Sequence, residues 1–232
     1  VVDLEILPWD SEFFGLKIAQ ITLTADHLIQ PLLKKANDLD VALIYIVSDH
    51  VLDENLPGLK FMEEKLFYAT DSFFLKGCPN SFCEKKNVVV ATNELYDLAI
   101  CSGHQSRFNR DKNFAKGQFE KLYHTWIARD SAEGKVVVLM EHTTMVGFVS
   151  YSFHGTTGKI ELIAVANDHQ GRSAGTQLLN AVHRVYLETG MTRAEVVTQK
   201  TNSAACALYE SHGYNVSYRK YIYHYWNSLN RT

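Results

Sequence analysis

The sequence predicts a mixed α/β (α+β) fold in two parts, and three observations carry that prediction. Short apolar runs of strand character, such as VALIYIVS and KVVVLM, alternate with amphipathic helical stretches such as FEKLYHTWI. A polar stretch holding Gly and Pro, KGCPNSFCEKKN at 76–87, separates two periodic regions. The second region reads helix, helix, three strands, helix, strand, helix, strand. The expected division is a smaller α/β domain at 1–85 and a second domain at 86–232.

In the first part, LEIL and KIAQITL read as strands around a loop, PWDSEFFG. Asp26 is placed to cap a short helix containing Leu28, Leu32 and Leu33, with Pro31 early in it. VALIYIVS has the composition of a buried strand. LKFMEEKL is read as a helix and FYATDSFFLK as a strand.

In the second part, TNELYDLAI sets Leu95, Leu98 and Ala99 on one helical face. FEKLYHTWI does the same for Phe119, Leu122, Tyr123, Trp126 and Ile127. KVVVLMEHTTMVGFVSYSFH predicts a hairpin turning at His142 to Thr144. GKIELIAV follows as a strand, then a helix burying Leu178, Leu179, Val182 and Val185. AEVVTQ is a strand, NSAACALYESHG a helix closed by Gly213, and NVSYRKYIYHYW a long final strand. Tyr221, Tyr223 and Tyr225 lie on one face of that strand, which either pairs across a homodimer or packs internally.

Composition excludes several classes. A chain of 232 residues is ample for a real core. A net charge of −3 does not advertise nucleic acid as a partner. No apolar run approaches the ~20 residues of a membrane span, and VVDLEILPWD lacks the basic-then-apolar pattern of a secretory signal. Cys78, Cys83, Cys101 and Cys206 form no CxxC pair and no zinc-ligand spacing. The expectation is a cytoplasmic protein with reduced thiols and no metal.

Between the apolar run IELIAVA and the helical run TQLLNAVHRV lies a turn, QGRSAG at 170–175. Small residues there let backbone approach a ligand, and the following helix aims unpaired N–H groups at it. Arg172 adds a positive charge. The turn fits a pyrophosphate electrostatically, but GxxxxGK[ST] and GxGxxG are both absent. A plain glycine-bearing loop has the same letters.

Downstream, Asn202, Ala205 and Tyr209 are spaced three and four apart and share a helical face, leaving Ala204, Ala207 and Leu208 for the core. Read alone, Asn202 is an N-cap and Tyr209 an amphipathic core residue. Taken with the turn, the pattern gains a family. Residues 163–179, with Gln170 and Gly175, resemble motif A of the GNAT N-acetyltransferases, Ser173 standing at the usual middle glycine. Asn202, Ala205, Leu208, Tyr209, Gly213 and Tyr214 resemble motif B. The resemblance spans residues 87 to 226. It implies a central mixed, mostly antiparallel sheet flanked by helices, and acetyl-CoA as co-substrate.

It further implies that the backbone of Gln170, Gly171, Arg172, Ser173, Ala174, Gly175 and Thr176 holds the CoA pyrophosphate. Backbone groups of Ile163 and Val165 hold the pantetheine arm and acetyl carbonyl. Asn202 contacts the cofactor, and Tyr209 stands where the family has its general acid. Glu161, two residues before Ile163, is expected on the same strand face and is a candidate base; it equally reads as an ordinary exposed strand Glu. GHQSRFNRDKNF at 103–114 and LPWDSEFFG near the start resemble a narrower group, acetyltransferases of the dTDP-fucosamine type. That likeness implies a dTDP-linked 4-amino-6-deoxy sugar as the small-molecule acceptor, met by His104, Ser106, Arg107 and Phe108. Arginine for a diphosphate and aromatics for a thymine suit that ligand; a core Phe108 and a solvated Arg107 are the plainer alternative. Other amines as acceptor, or a non-catalytic CoA-binding module, are the competing functions.

Overall fold

A computed structural model describes residues 4–23, 29–52, 57–78 and 82–227. The helix cap expected at Asp26, and Leu28 with it, lie outside the described residues. Contacts divide the chain into two units, one of residues 1–65 with 219–232 and one of residues 66–218. The cuts fall at Lys65/Leu66 and Tyr218/Arg219, whereas the sequence reading places one cut near Lys85.

In the first unit, β1 (Leu4–Ile6) pairs antiparallel with β2 (Ile18–Leu23), β2 parallel with β3 (Leu43–Ser48), and β3 antiparallel with Tyr221–Trp226. PWDSEFFG is not a loop: Pro8–Phe14 form helix α1, with Pro8 at its start and Gly15 left-handed at its end. Both signals are in the sequence, since proline suits a first turn and glycine a left-handed cap. Helix α2 (Ile29–Asp38) buries Leu33 and Ala36. The final strand's tyrosines pack internally, with Tyr223 fully buried and Tyr221 and Tyr225 against the same cluster.

LKFMEEKL is not a helix. It opens strand β4 (Leu59–Thr70), and the expected strand FYATDSFFLK keeps strand form only to Thr70. Leu59, Met62 and Leu66 fit a helical period by chance, and sheet neighbours override so short a pattern.

The larger unit takes the later part of β4, from Leu66, and the first part of β10, to Tyr218, and its strand order is β10-β4-β9-β8-β7-β6-β5, where β5 is Cys83–Lys85, β6 Val136–Glu141, β7 Thr144–His154, β8 Thr157–Val165, β9 Arg193–Gln199 and β10 Asn215–Trp226. Pairing is antiparallel for β5 to β8 and parallel for β8–β9. The polar stretch at 76–87 thus contains a strand. Buried side chains of α6 (Ala174–Glu188) also clamp its backbone. Asn180 accepts from Lys76 N at 3.0 Å and donates to Lys76 O, and Gln177 does the same for Phe82.

Helices cover both faces of this sheet. On one side, α6 buries Leu178, Leu179, Val182 and Val185 as its periodicity requires. On the other, α3 (Asn93–Ser102) and α5 (Gln118–Ala132) bury Leu95, Leu98 and Ile127 against Val136, Val138 and Phe148. Thr92 caps α3, accepting from Leu95 N. Trp126, expected in the α5 core face, is only half-buried. Helix α4 (Arg107–Arg110) is a single turn, and α7 is Ser203–Ser211.

Candidate active site

The site begins with an interruption in the sheet. Strands β8 and β9 pair over four residues, from Thr157↔Arg193 to Ile160↔Val196, and no further, although both strands continue. On its other edge β8 stays paired with β7, but the register slips: Tyr151 faces Ile160 and Ser150 faces Leu162, so Glu161 is the extra residue of a bulge. A bulge bends its strand and increases the local twist, which carries β8 away from β9.

The bulge also moves side chains. Ile160 packs with the α6 cluster, and so do Ile163 and Val165, whereas Leu162 and Ala164 pack on the α3 side. Residues three apart share a face only if one is inserted between them. Glu161 therefore does not share the face of Ile163, as simple alternation had it. Its carboxylate accepts from Ser152 Oγ at 2.6 Å and pairs with Lys159 Nζ at 3.1 Å.

Backbone direction follows from two bonds. Leu162 N donates to Ser150 Oγ at 3.2 Å, and Ala166 N to Val146 O at 2.9 Å, both toward β7. Alternation then aims the N–H groups of Ile163 and Val165 at the opposite edge, into the gap. Gly147 permits the close β7 contact there, since a Cβ on it would sit 2.9 Å from Ala164 O.

Past the gap, a 3-10 turn (Asn167–His169) leads into the QGRSAG segment. Gly171 and Ser173 both have positive φ, 73° and 65°. Ser173 precedes α6, whose first intrahelical donor is Gln177 N to Ser173 O. The N–H groups of Ala174, Gly175 and Thr176 have no acceptor within the helix, a partial positive charge facing outward. Gly175 lets α6 approach α7, because a Cβ would sit 3.1 Å from Leu208 Cδ2.

These features bound a cavity of about 600 Å³. Ile163, Val165, Gln170, Gly171, Ser173, Ala174, Gly175, Thr176 and Asn202 all line it, and so does His104. Such a volume and such a turn fit an extended phosphorylated ligand. Cys101, Ser102, Gln105, Asn167 and His169 line it too and were not singled out from sequence. His169 had a signal, adjacency to Gln170. Gln105 had the same kind of signal, its place between His104 and Ser106, whereas the contact that fixes it, Thr201 Oγ1 donating to its Oε1 at 2.8 Å, joins segments distant in the chain.

Several expected residues stand elsewhere. Arg172 is not on the wall; it donates to Glu141 Oε1 at 2.7 Å and lies over the Phe82 ring. Glu141 also pairs with His169 Nε2 at 3.0 Å, and Asp168 with His169 Nδ1 at 2.7 Å. The hydrogen bonds that His169 donates to Asp168 and then Glu141 raise its pKa and favour the imidazolium, and those bonds lower both carboxylates. Asn202 caps α7, accepting from Ala205 N at 3.2 Å, while also facing the cavity. Tyr209 is 2% exposed, packed between Tyr68 and Tyr214 with the α6 cluster, and burial raises its pKa. Ala204 and Ala207 are exposed, not core; the helix turns Tyr209 inward instead. Ser106 is buried, and Arg107 stacks on Phe108, whose ring meets Phe114 and Trp126.

Comparison with known proteins accounts for this geometry. The family model described as acetyltransferase (GNAT) family matches residues 93–214. The chain belongs to the GNAT acetyltransferase family. It is an acetyltransferase, and GNAT enzymes use acetyl-CoA. This GNAT chain is 26% identical over 227 residues to the dTDP-fucosamine acetyltransferase of Escherichia coli O6:H1 (strain CFT073), covering 94% of this chain and 96% of that one. Among solved structures, a GCN5-related N-acetyltransferase from Sphaerobacter thermophilus aligns with TM-score 0.60 at 14% identity, over 95% of this chain and 75% of that one. The PaiA N-acetyltransferase of Thermoplasma acidophilum, in complex with coenzyme A, aligns with TM-score 0.51 at 12% identity, over 64% of this chain and all of that one. These likenesses show the fold: a mixed α/β protein with a large sheet flanked by helices. Among the described residues, no His/Cys/Asp/Glu group could hold a metal, and no helix is long and apolar enough to cross a membrane.

Proposed function

We propose that this GNAT enzyme, acting in the cytoplasm, transfers the acetyl group of acetyl-CoA to the amino group of a dTDP-linked 4-amino-6-deoxy sugar. One observation carries the donor half of the reading. The β8–β9 ladder stops at Ile160↔Val196 beside the open start of α6, and a cavity of about 600 Å³ runs between them. The acceptor half rests on the 26% identical relative, which aligns along nearly the whole chain.

Acetyl-CoA supplies an activated acyl carbon, and the chain's own groups do the rest. Backbone N–H groups from Gly171 to Thr176 hold the pyrophosphate, and Gln170 and Asn202 flank it. Arg172 is neutralised by its pair with Glu141 and braces the turn without touching the ligand. The Ile163 N–H holds the thioester oxygen as negative charge grows there, and Val165 holds the pantetheine amide. The amine attacks, the carbon–sulfur bond breaks, and the amine's surplus proton leaves. Glu161 takes that proton through water, because its carboxylate is already bonded to Ser152 and Lys159. Tyr209 steadies the departing sulfur. A phenol whose pKa is raised by burial keeps its proton near a thiolate with ordinary pKa ~8.5, so it acts by hydrogen bonding. His104, Arg107 and Phe108 are assigned to the acceptor's nucleotide, with Ser106, which is buried, positioning them.

The deciding experiment is mass spectrometry of products from the protein, acetyl-CoA and a panel of amines: dTDP-4-amino-4,6-dideoxyhexoses, dTDP-3-amino isomers, spermidine and an aminoglycoside. Acetylation of a dTDP-amino sugar is the expected result. Acetylation of only the other amines would sink the sugar-nucleotide reading and keep the acetyltransferase. Turnover unchanged in Tyr209→Phe would remove Tyr209 from the mechanism.

A further inference from the structure

A second opening borders the point where the β8–β9 ladder ends. It is a cleft of about 180 Å³ whose walls include Phe67, Lys159, Glu195, Val197 and Tyr218. Val197 is the first β9 residue past the last pair, and Lys159 lies just before it on β8. Lys159 pairs with Glu161, the bulge residue. The large cavity reaches the same gap through Ile163 and Val165. Two approaches thus converge on one break in the sheet, as a two-substrate transfer requires.

The cleft's makeup is unlike that of the large cavity. Phe67 and Tyr218 stack at 4.2 Å with their planes 17° apart, yet Tyr218 is 52% exposed. A large aromatic ring held flat and left half in water contributes little to a core. It is well suited to receive another ring, because it loses little freedom when covered. Beside it the floor is charged, with Lys159 pairing to Glu161 and Glu195 to Arg193. At about 180 Å³ the cleft is under a third the size of the large cavity, which suits one ring of an acceptor at this point.

We infer that this cleft is the acceptor subsite, that Tyr218 stacks on the amine-bearing ring of a cyclic, sugar-type acceptor, and that Lys159 and Glu195 hydrogen-bond its polar edge. Tyr218 is then a specificity-determining residue. The inference rests on the larger cavity holding acetyl-CoA.

Steady-state kinetics on wild type, Tyr218→Ala and Tyr218→Phe test it, with a dTDP-4-amino-4,6-dideoxyhexose, an aminoglycoside and spermidine as acceptors. Tyr218→Ala is expected to raise KM for the ring-bearing acceptor about tenfold, the scale of one lost stacking contact. KM for acetyl-CoA should stay within about twofold, and Tyr218→Phe should restore the acceptor KM. An unchanged acceptor KM overturns the inference. So does an effect that falls on acetyl-CoA, or a wild-type enzyme that acetylates spermidine alone or nothing. The underlying readings fail separately. A tenfold effect seen with the aminoglycoside, with no dTDP sugar accepted, supports the subsite and sinks the sugar nucleotide. Gly175→Leu with undiminished acetyl-CoA affinity by calorimetry would sink the donor cavity. Melting temperatures within a few degrees of wild type show that each variant folds.

Discussion

The two halves of strand β8 are five residues or fewer in length and adjacent in the chain, yet they do different work. Residues 157–160 are paired on both edges and read as ordinary sheet. Residues 161–165 keep one paired edge and leave the other open beside a cavity. A backbone N–H inside a ladder is satisfied already and can offer a substrate nothing. The difference teaches that the site is made by withholding a strand pairing, and that one inserted residue, Glu161, withholds it.

Proline scanning breaks this comparison with the largest expected effect. Ile163→Pro removes an N–H aimed into the gap, where no ladder bond is lost. The protein should stay folded while kcat falls about 100- to 1000-fold, the cost of one missing oxyanion donor. Ile160→Pro removes a ladder bond in the doubly paired half and should cost about 3 kcal/mol or more of stability. Kinetics and urea denaturation of the pair decide it; equal activity loss without destabilisation in both would mean the halves are equivalent.

How much of this was legible follows the same line. The turn at 170–175 and the Asn202–Tyr209 helix were readable because their letters are local and their geometry is set within a few residues. The bulge was not, since KIEL alternates as a regular strand would and the LIAV run is apolar throughout, with no glycine or proline to mark an insertion. The helix at Pro8–Phe14 carries its signals, a proline at its start and a glycine at its end, but seven residues hold too short a period to separate a helix from a loop. Phe67 beside Tyr218, and Gln105 beside Thr201, are contacts across the chain that no periodicity encodes.

Two histidines sharpen the contrast between core and site. His169, on the cavity wall between two carboxylates, has its pKa raised by its hydrogen bonds to Asp168 and then Glu141. Its share of stability is present below the unfolded value of 6.5 and is lost as pH rises through its folded pKa. His183 is fully buried, bonded to Tyr214 at 2.8 Å, and desolvation, with a smaller push from His212, lowers it from 6.5 to about 4. Between those values the unfolded chain binds a proton that the folded one refuses, so stability present at pH 7 is lost as pH falls from 6.5 toward 4. The loss should approach about 3 kcal/mol. Urea denaturation at pH 7, 6, 5 and 4.5 should show that slope, and His183→Gln should flatten most of it. An unflattened slope would assign the effect to other groups.

Within the paired half, Gly158 is a sharper probe of packing. A Cβ there would sit 2.5 Å from the Tyr186 ring, which is wholly buried among Tyr151, Phe153 and Phe73. The ring has no room to retreat, so Gly158→Ala should destabilise by about 2 kcal/mol. Acetyl-CoA affinity should not change, because the paired half does not line the cavity. A shift in affinity measured by calorimetry would show that strain passes along β8 into the gap.

The smallest effect concerns Ser173, which sits at φ 65° where the family pattern has glycine. A side chain in the left-handed region costs roughly 1 kcal/mol, and glycine escapes that cost while losing more entropy on folding. Ser173 has no side-chain capping bond to lose. Ser173→Gly should therefore leave stability within about 1 kcal/mol of wild type, on the favourable side, by thermal denaturation. Its N–H would keep its direction, so acetyl-CoA affinity should hold. Weaker binding with unchanged stability would mean that the Ser173 hydroxyl itself touches the ligand, and the turn would then bind by side chain as well as by backbone.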